Sequence, residues 1–113
     1  KSSFSKGFLR IGTGILKGRS KKKILISSYL CHPSMANNEL SGPLVLIDLY
    51  NKIKKLKNRH YTYIFLINPE TIGSICFIKK FQNYLKNDFL GGILTLCRVL
   101  MSVSITLVNR VYP

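Results

Sequence analysis

Apolar runs alternate with basic segments along the chain and divide it into short elements. Two runs rich in β-branched and aromatic residues, 24–30 and 61–67, predict strands, and 61–67 is the stronger signal. The run at 24–30 lacks strict alternation, which is typical of a strand buried on both faces. A glycine-led run at 91–97 predicts a third strand, and alternating apolar positions within 8–16 predict a weaker one before the others. The run at 61–67 stops at Asn68-Pro69, because proline cannot donate to a sheet ladder.

Two segments between these runs show helical periodicity. Apolar side chains recur at roughly helical spacing in 43–56, with lysines between them. Ser41, Gly42 and Pro43 would supply an N-cap and a first-turn proline, so we expect this helix to begin there and to end near residue 58. A second helix is predicted to open between residues 71 and 74. The tail, residues 98–113, is compatible with a further strand.

The order strand, helix, strand, helix, strand predicts an α/β fold with a largely parallel sheet and flanking helices on both faces. A chain of 113 residues that is 46% hydrophobic can form one domain with an ordinary core, and not two. An incomplete sheet of this kind would leave an exposed edge that favours self-association.

Cysteine usage and hydropathy bear on location. Cys31, Cys76 and Cys97 are few, far apart and set in apolar surroundings, which predicts buried, reduced thiols and a cytoplasmic protein. No signal peptide is recognisable, and the longest apolar stretch, 99–108, is too short to span a bilayer, so no membrane partner is expected.

The charge is strongly basic, with eighteen Lys and Arg against four Asp and Glu and a formal net charge of +14. Such an excess favours an acidic partner, and a nucleic-acid-binding module is one alternative. The lysines lack interleaved aromatic residues, and the bias extends to Asn, Ile and Tyr as in an AT-rich coding sequence, so nucleic acid is not the expected partner. Two of the acids, Glu39 and Glu70, lie in the most motif-like segments.

Those segments concentrate polar chemistry at strand ends. Residues 30–42 follow the first buried run, Glu70 follows the second, and the carboxyl ends of parallel strands share one edge, where open α/β sheets bind ligands. An imidazole, a loop amide or carboxylate and a glutamate suit zinc with an open position for water, and a nearby carboxylate can act as general base. His32 could equally be an ordinary loop histidine, and Glu70 could simply stabilise the start of its helix.

Three motifs in order add a resemblance: CHPSMANNELSG at 31–42, YTY at 61–63 and PETIGS at 69–74. With them, residues 24–74 closely resemble the aminopeptidase-like domain of bacterial proteins that accompany polysaccharide-biosynthesis genes, which is similar to zinc aminopeptidases of the bacterial leucyl aminopeptidase type. The resemblance implies a zinc-aminopeptidase-like (phosphorylase/hydrolase-like) fold, one or two Zn²⁺ ions and a small peptide or amide substrate. The family domain is several times longer, so residues 1–113 are expected to be a single, partial copy.

Carried over position by position, the resemblance predicts a metal set of His32, Asn38, Glu39 and Glu70. His32 matches the first histidine ligand, and Asn38 stands where the peptidases have a bridging aspartate, with Glu39 beside it as a substitute. Glu70 matches one of the paired glutamates that supply the general base and a ligand, so it is also the predicted catalytic residue. Three hypotheses follow: a zinc-dependent hydrolase, a catalytically inactive binding or structural remnant of the same fold, and the nucleic-acid-binding module.

Overall fold

The described residues form a five-stranded sheet with two helices. A computed structural model describes residues 2–97 and 103–108, without the side chains of Asn38, 93–97 and 103–108. The elements in chain order are β1 (Gly12–Leu16), β2 (Lys23–Tyr29), α1 (Ala36–Lys55), β3 (Thr62–Asn68), α2 (Ile72–Lys86), β4 (Phe89–Cys97) and β5 (Val103–Val108). The strands lie in the order β1-β3-β2-β4-β5, and the predicted α/β class is confirmed.

The centre of the sheet is parallel and both outer pairings are antiparallel. β2 pairs in parallel with β3 on one side and with β4 on the other, as predicted for the runs that make these strands. β1 pairs antiparallel with β3, and β5 pairs antiparallel with β4. The strand anticipated in the tail is β5; residues 98–102 and 109–113 of that tail lie outside the described residues.

Alternation along β3 divides the core between the two faces of the sheet. Phe65 packs with Leu46 of α1 on one face, where Tyr50 also meets it edge-on at 5.2 Å between ring centroids. Ile64 and Leu66 point the other way and pack with Phe77 of α2. Successive side chains of a strand point to opposite faces, so the helices cover both sides of the sheet, as predicted.

Helix α1 begins earlier than its sequence signals indicate. The first helical residue is Ala36, after the N-cap Met35, and Pro43 lies inside the helix and not in its first turn. An internal proline removes one backbone hydrogen bond and costs about 3 kcal/mol or more. Gly42 and Pro43 are both buried, and this packing holds the turn helical despite that cost. The predicted N-cap at 41–43 is therefore wrong, whereas the observed end at Lys55 is close to the predicted one.

The thiols are less buried than the sequence suggests. Cys31 and Cys76 are free and exposed, so their predicted burial is wrong; the side chain of Cys97 lies outside the described part. Cys31 follows the end of β2, beyond the core. Cys76 lies on the outer face of α2, where three large apolar residues are also exposed, Ile72, Ile75 and Ile78. Among the described residues, no helix has both the length and the apolar character needed to cross a bilayer.

At the amino ends of β2 and β3, polar side chains make hydrogen bonds to backbone groups of the adjoining turns. The Arg59 guanidinium donates to the carbonyl oxygens at the end of α1, with the shortest contact, 2.7 Å, to Leu56, and also to the carbonyl of Lys17. Thr62 Oγ1 accepts from Gly18 N at 3.2 Å and donates to Ser20 O at 3.2 Å. Polar side chains at this end therefore hold the turns in place.

Candidate metal centre

Two loops leave neighbouring strands in opposite directions at the carboxyl edge of the sheet. Strands β2 and β3 are adjacent and parallel; residues 30–35 lead from β2 to α1 on one face, and residues 69–71 lead from β3 to α2 on the other. A crevice opens between two parallel strands whose connections diverge in this way, and it is the usual ligand site of open α/β sheets. The topology therefore singles out the space between these two loops.

The two loops contact each other directly. Leu30 N donates to Asn68 O at 3.1 Å, and Glu70 N donates to Cys31 Sγ at 3.3 Å. His32 Nε2 lies 3.0 Å from Glu70 Oε2, although the two residues are 38 positions apart in the sequence. The loops that carry the predicted site residues thus meet at one place.

Three side chains form a cluster of metal-binding donor atoms here. One ligand atom each from Cys31, His32 and Glu70 lies within 4.8 Å of the other two. The side chains of His32 and Glu70 are 43% and 52% exposed, so the cluster is open to solvent on one side. Sulfur, imidazole nitrogen and carboxylate oxygen are the three donor types that zinc accepts, and donors of a tetrahedral zinc stand about 3.3–3.7 Å apart at its usual bond lengths. By donor type these residues fit one such ion, and donor atoms as far as 4.8 Å apart would move closer together to hold it.

Unusual backbone angles mark both loops. Ser34 has φ 64° and Thr71 has φ 55°, left-handed values that cost a residue with a Cβ about 1–3 kcal/mol and that cluster at functional sites. The buried Asn68 fixes the second loop, because its Nδ2 donates to Pro69 O at 2.8 Å and to Ser74 Oγ at 3.0 Å. These contacts hold the turn that presents Glu70.

Close packing at the start of α2 adds to this restraint. A Cβ at Gly73 would stand 2.7 Å from Asn68 Nδ2 and 2.9 Å from Pro69 Cδ. Gly73 N also donates to Pro69 O at 3.0 Å. A glycine is thus required at this position for α2 to approach the end of β3.

The chain matches, over residues 2–102, a family described as a domain of unknown function, DUF4910. The chain belongs to the DUF4910 family. It is 39% identical over 94 residues to a protein of Clostridium acetobutylicum named as a candidate polysaccharide biosynthesis protein with an aminopeptidase-like domain, and the match covers 83% of this chain and 21% of that protein.

A solved structure supports the same relationship. The crystal structure of a candidate peptidase from Clostridium acetobutylicum, at 2.37 Å resolution, superposes on the DUF4910 chain with a TM-score of 0.72 and 37% identity. The match covers 77% of this chain and 20% of that one, so the DUF4910 chain spans about a fifth of the length of these relatives. The resemblance to an aminopeptidase-like domain, drawn from three sequence motifs, is confirmed.

The DUF4910 chain brings two of its four predicted metal ligands together, His32 and Glu70. The side chain of Asn38 lies outside the described part. Glu39 is 4% exposed and outside the donor cluster: its Oε2 accepts a hydrogen bond from Cys31 N, and its buried Oε1 has no hydrogen-bond partner among the described residues. One carboxylate oxygen of Glu39 is thus engaged under the loop, outside the donor cluster, and the metal role of Glu39 stays a prediction.

Sequence reasoning missed Cys31 as a member of the cluster. The thiol was expected in the core because its neighbours on the strand side are apolar. Its position next to His32 was a signal that it would share the loop and hence the site. In the DUF4910 chain the strand ends at Tyr29, so Cys31 lies beyond the sheet with His32.

Proposed function

We propose that this chain is a zinc-dependent, aminopeptidase-like hydrolase domain that acts on peptide or amide bonds. The observation that carries the proposal is the 3.0 Å contact between His32 Nε2 and Glu70 Oε2 at the diverging ends of β2 and β3. The names of the two relatives support the substrate class, and one of them links the proposal to polysaccharide biosynthesis. A cytoplasmic location stays a prediction.

In the proposed reaction His32 is a metal ligand, and Glu70 is both a metal ligand and the general base. Both would hold the ion, which when bound supplies a Lewis acid for a substrate carbonyl and for water. Because the Glu70 carboxylate is half exposed, water and substrate can reach it. With one oxygen on the ion, the other carboxylate oxygen would accept a proton from the attacking water and return it to the leaving amine as the C–N bond breaks. The Tyr29 ring, edge-on to His32 at 6.0 Å between centroids, limits the orientations of the imidazole.

Metal content of the purified chain tests this proposal. Elemental mass spectrometry should find about one zinc per chain in the unaltered protein and none in His32→Ala or Glu70→Ala, because each variant loses a ligand. His60→Ala is the matched control, since His60 is exposed and its ring meets Tyr61 edge-on, away from the cluster. Full zinc occupancy in His32→Ala would contradict the ligand assignment.

A second candidate is a binding or structural domain that keeps the fold without activity. It is favoured by Asn38 and Pro69, which stand where the resemblance places an aspartate and a second glutamate. An amide carries no charge and compensates a divalent cation less well than a carboxylate does. Absence of metal from every sample, in a chain that circular dichroism shows to be folded, would favour this candidate over the hydrolase.

A further inference from the structure

We propose that Cys31 is the third protein ligand of this centre, so that a thiolate, an imidazole and a carboxylate hold the ion together. The inference rests on the proposed function and changes its ligand set. It adds to His32 and Glu70 the sulfur that the fold places beside them.

The position of the sulfur is the first argument. Cys31 Sγ is one of the three donor atoms that all lie within 4.8 Å of one another, and it accepts a hydrogen bond from Glu70 N at 3.3 Å. That bond ties the sulfur to the residue that also supplies the carboxylate. Backbone N–H groups commonly stabilise metal-bound thiolates by donating to sulfur, so this contact is compatible with ligation.

The anchoring of the backbone around Cys31 is the second argument. Cys31 N donates to Glu39 Oε2, and the preceding amide, Leu30 N, donates to Asn68 O at 3.1 Å. Contacts from α1 and from the end of β3 therefore fix this residue from two sides. Metal ligands are typically oriented by such outer contacts, and removing these contacts weakens binding. Glu39, buried and outside the cluster, is accordingly a positioning residue.

The donor chemistry is the third argument. Three protein donors with one open side match the pattern of catalytic zinc, in which water or substrate takes the fourth place. A thiolate and a carboxylate together carry two negative charges, which balance a divalent cation in a chain that is otherwise strongly basic. Sulfur ligation also selects zinc or cobalt over magnesium, calcium and manganese, which prefer oxygen.

A cobalt titration distinguishes sulfur ligation from metal binding in general. Visible d–d absorption reports that Co²⁺ is bound, and a near-ultraviolet band reports charge transfer from a thiolate. We expect both signals in the unaltered chain and in Cys76→Ser, the matched control because Cys76 is also free and exposed. In Cys31→Ser we expect no near-ultraviolet band, and a Co²⁺ affinity lowered by more than the roughly 10–100-fold typical of losing an outer contact.

Alkylation in the unaltered chain checks the assignment without a variant that could fail to fold. Zn²⁺ should protect Cys31 from iodoacetamide and leave Cys76 reactive, as read by peptide mass spectrometry. If Co²⁺ binds with visible bands but no near-ultraviolet band, or if the band survives in Cys31→Ser, the cysteine assignment is wrong and the metal site itself stands. If no Co²⁺ binds and Zn²⁺ protects neither thiol, the inference and the proposed function both fail.

Discussion

The two ends of the same parallel strands use their polar side chains differently. At the amino end, Arg59 and Thr62 bond to backbone groups of the adjoining turns. At the carboxyl end, Cys31, His32 and Glu70 instead face one another and remain open to solvent, while Glu39 bonds to backbone beneath them. A polar side chain that hydrogen-bonds to the backbone stabilises the fold. Polar side chains that face one another and remain exposed to solvent are available to a ligand. Substitutions at the two ends should therefore separate stability from metal binding.

Gly18→Ala should give the largest loss of stability at the amino end. A Cβ at this position would overlap the carbonyl group of Tyr61 and stand 2.7 Å from the carbonyl oxygen of His60, so the backbone must move. Forced overlap in a packed region lowers the free energy of unfolding by about 3 kcal/mol, which urea denaturation would measure. Gly7→Ala is the control, because a Cβ there would have no heavy atom within 4 Å. Loss of zinc from the folded fraction of Gly18→Ala would show that the two ends are not separable.

Glu39→Ala should lower both the free energy of unfolding and the metal affinity, because Glu39 bonds to the backbone of Cys31. The substitution leaves the Cys31 amide without its acceptor, at a cost of about 2 kcal/mol in the free energy of unfolding. We expect metal affinity to fall roughly 10–100-fold because Cys31 loses its anchor. Urea denaturation and a Co²⁺ titration read the two effects.

Glu39→Gln separates positioning from ligation at the same residue. The glutamine oxygen can still accept from Cys31 N, so this variant should keep most of the metal affinity. A loss as large as in Glu39→Ala would instead mean that the carboxylate itself binds the ion, as the family resemblance implies.

Arg59→Ala should give the smallest loss of stability among the three alanine substitutions, at Gly18, Glu39 and Arg59. The guanidinium bonds are partly exposed, and their loss should lower the free energy of unfolding by about 1 kcal/mol, seen as a lower urea midpoint. Lys57→Ala, an exposed basic neighbour, is the control for the change in charge. Zinc content should stay unchanged in both, and a decrease in Arg59→Ala alone would contradict the division between the two ends.

Local sequence signals predicted the elements whose bounds are set by nearby residues. They failed where tertiary packing sets the bounds. The apolar run that forms β3 and the proline after it predicted a strand at 61–67, and each observed bound is within one residue of that range. The start of α1 was misplaced because Ser41-Gly42-Pro43 is a strong local signal, whereas burial of Gly42 and Pro43 is a property of the assembled fold. Sequence periodicity reports the spacing of side chains along the chain. It carries no information about the residues that pack against them in the fold.

The same distinction explains how far the site was predictable. His32 and Glu70 were expected to meet because parallel strands end at one edge, and the fold brings them within 3.0 Å. The burial of Glu39 under Cys31 was not predictable from spacing, because it depends on how the first turn of α1 packs below the loop. Apolar neighbours likewise could not show that β2 ends before Cys31.

The entire donor cluster lies within one contiguous stretch, from Cys31 to Glu70, that contains one helix and one strand between its two ends. A single short genetic segment thus encodes every group in the cluster. Recombination that moved residues 23–74 as a block would transfer the cluster with the two strands that bring it together. Insertions elsewhere in the chain would leave its spacing untouched. The strand-helix-strand unit and the turn that follows it therefore contain all three donor residues together with the two strands that hold them side by side.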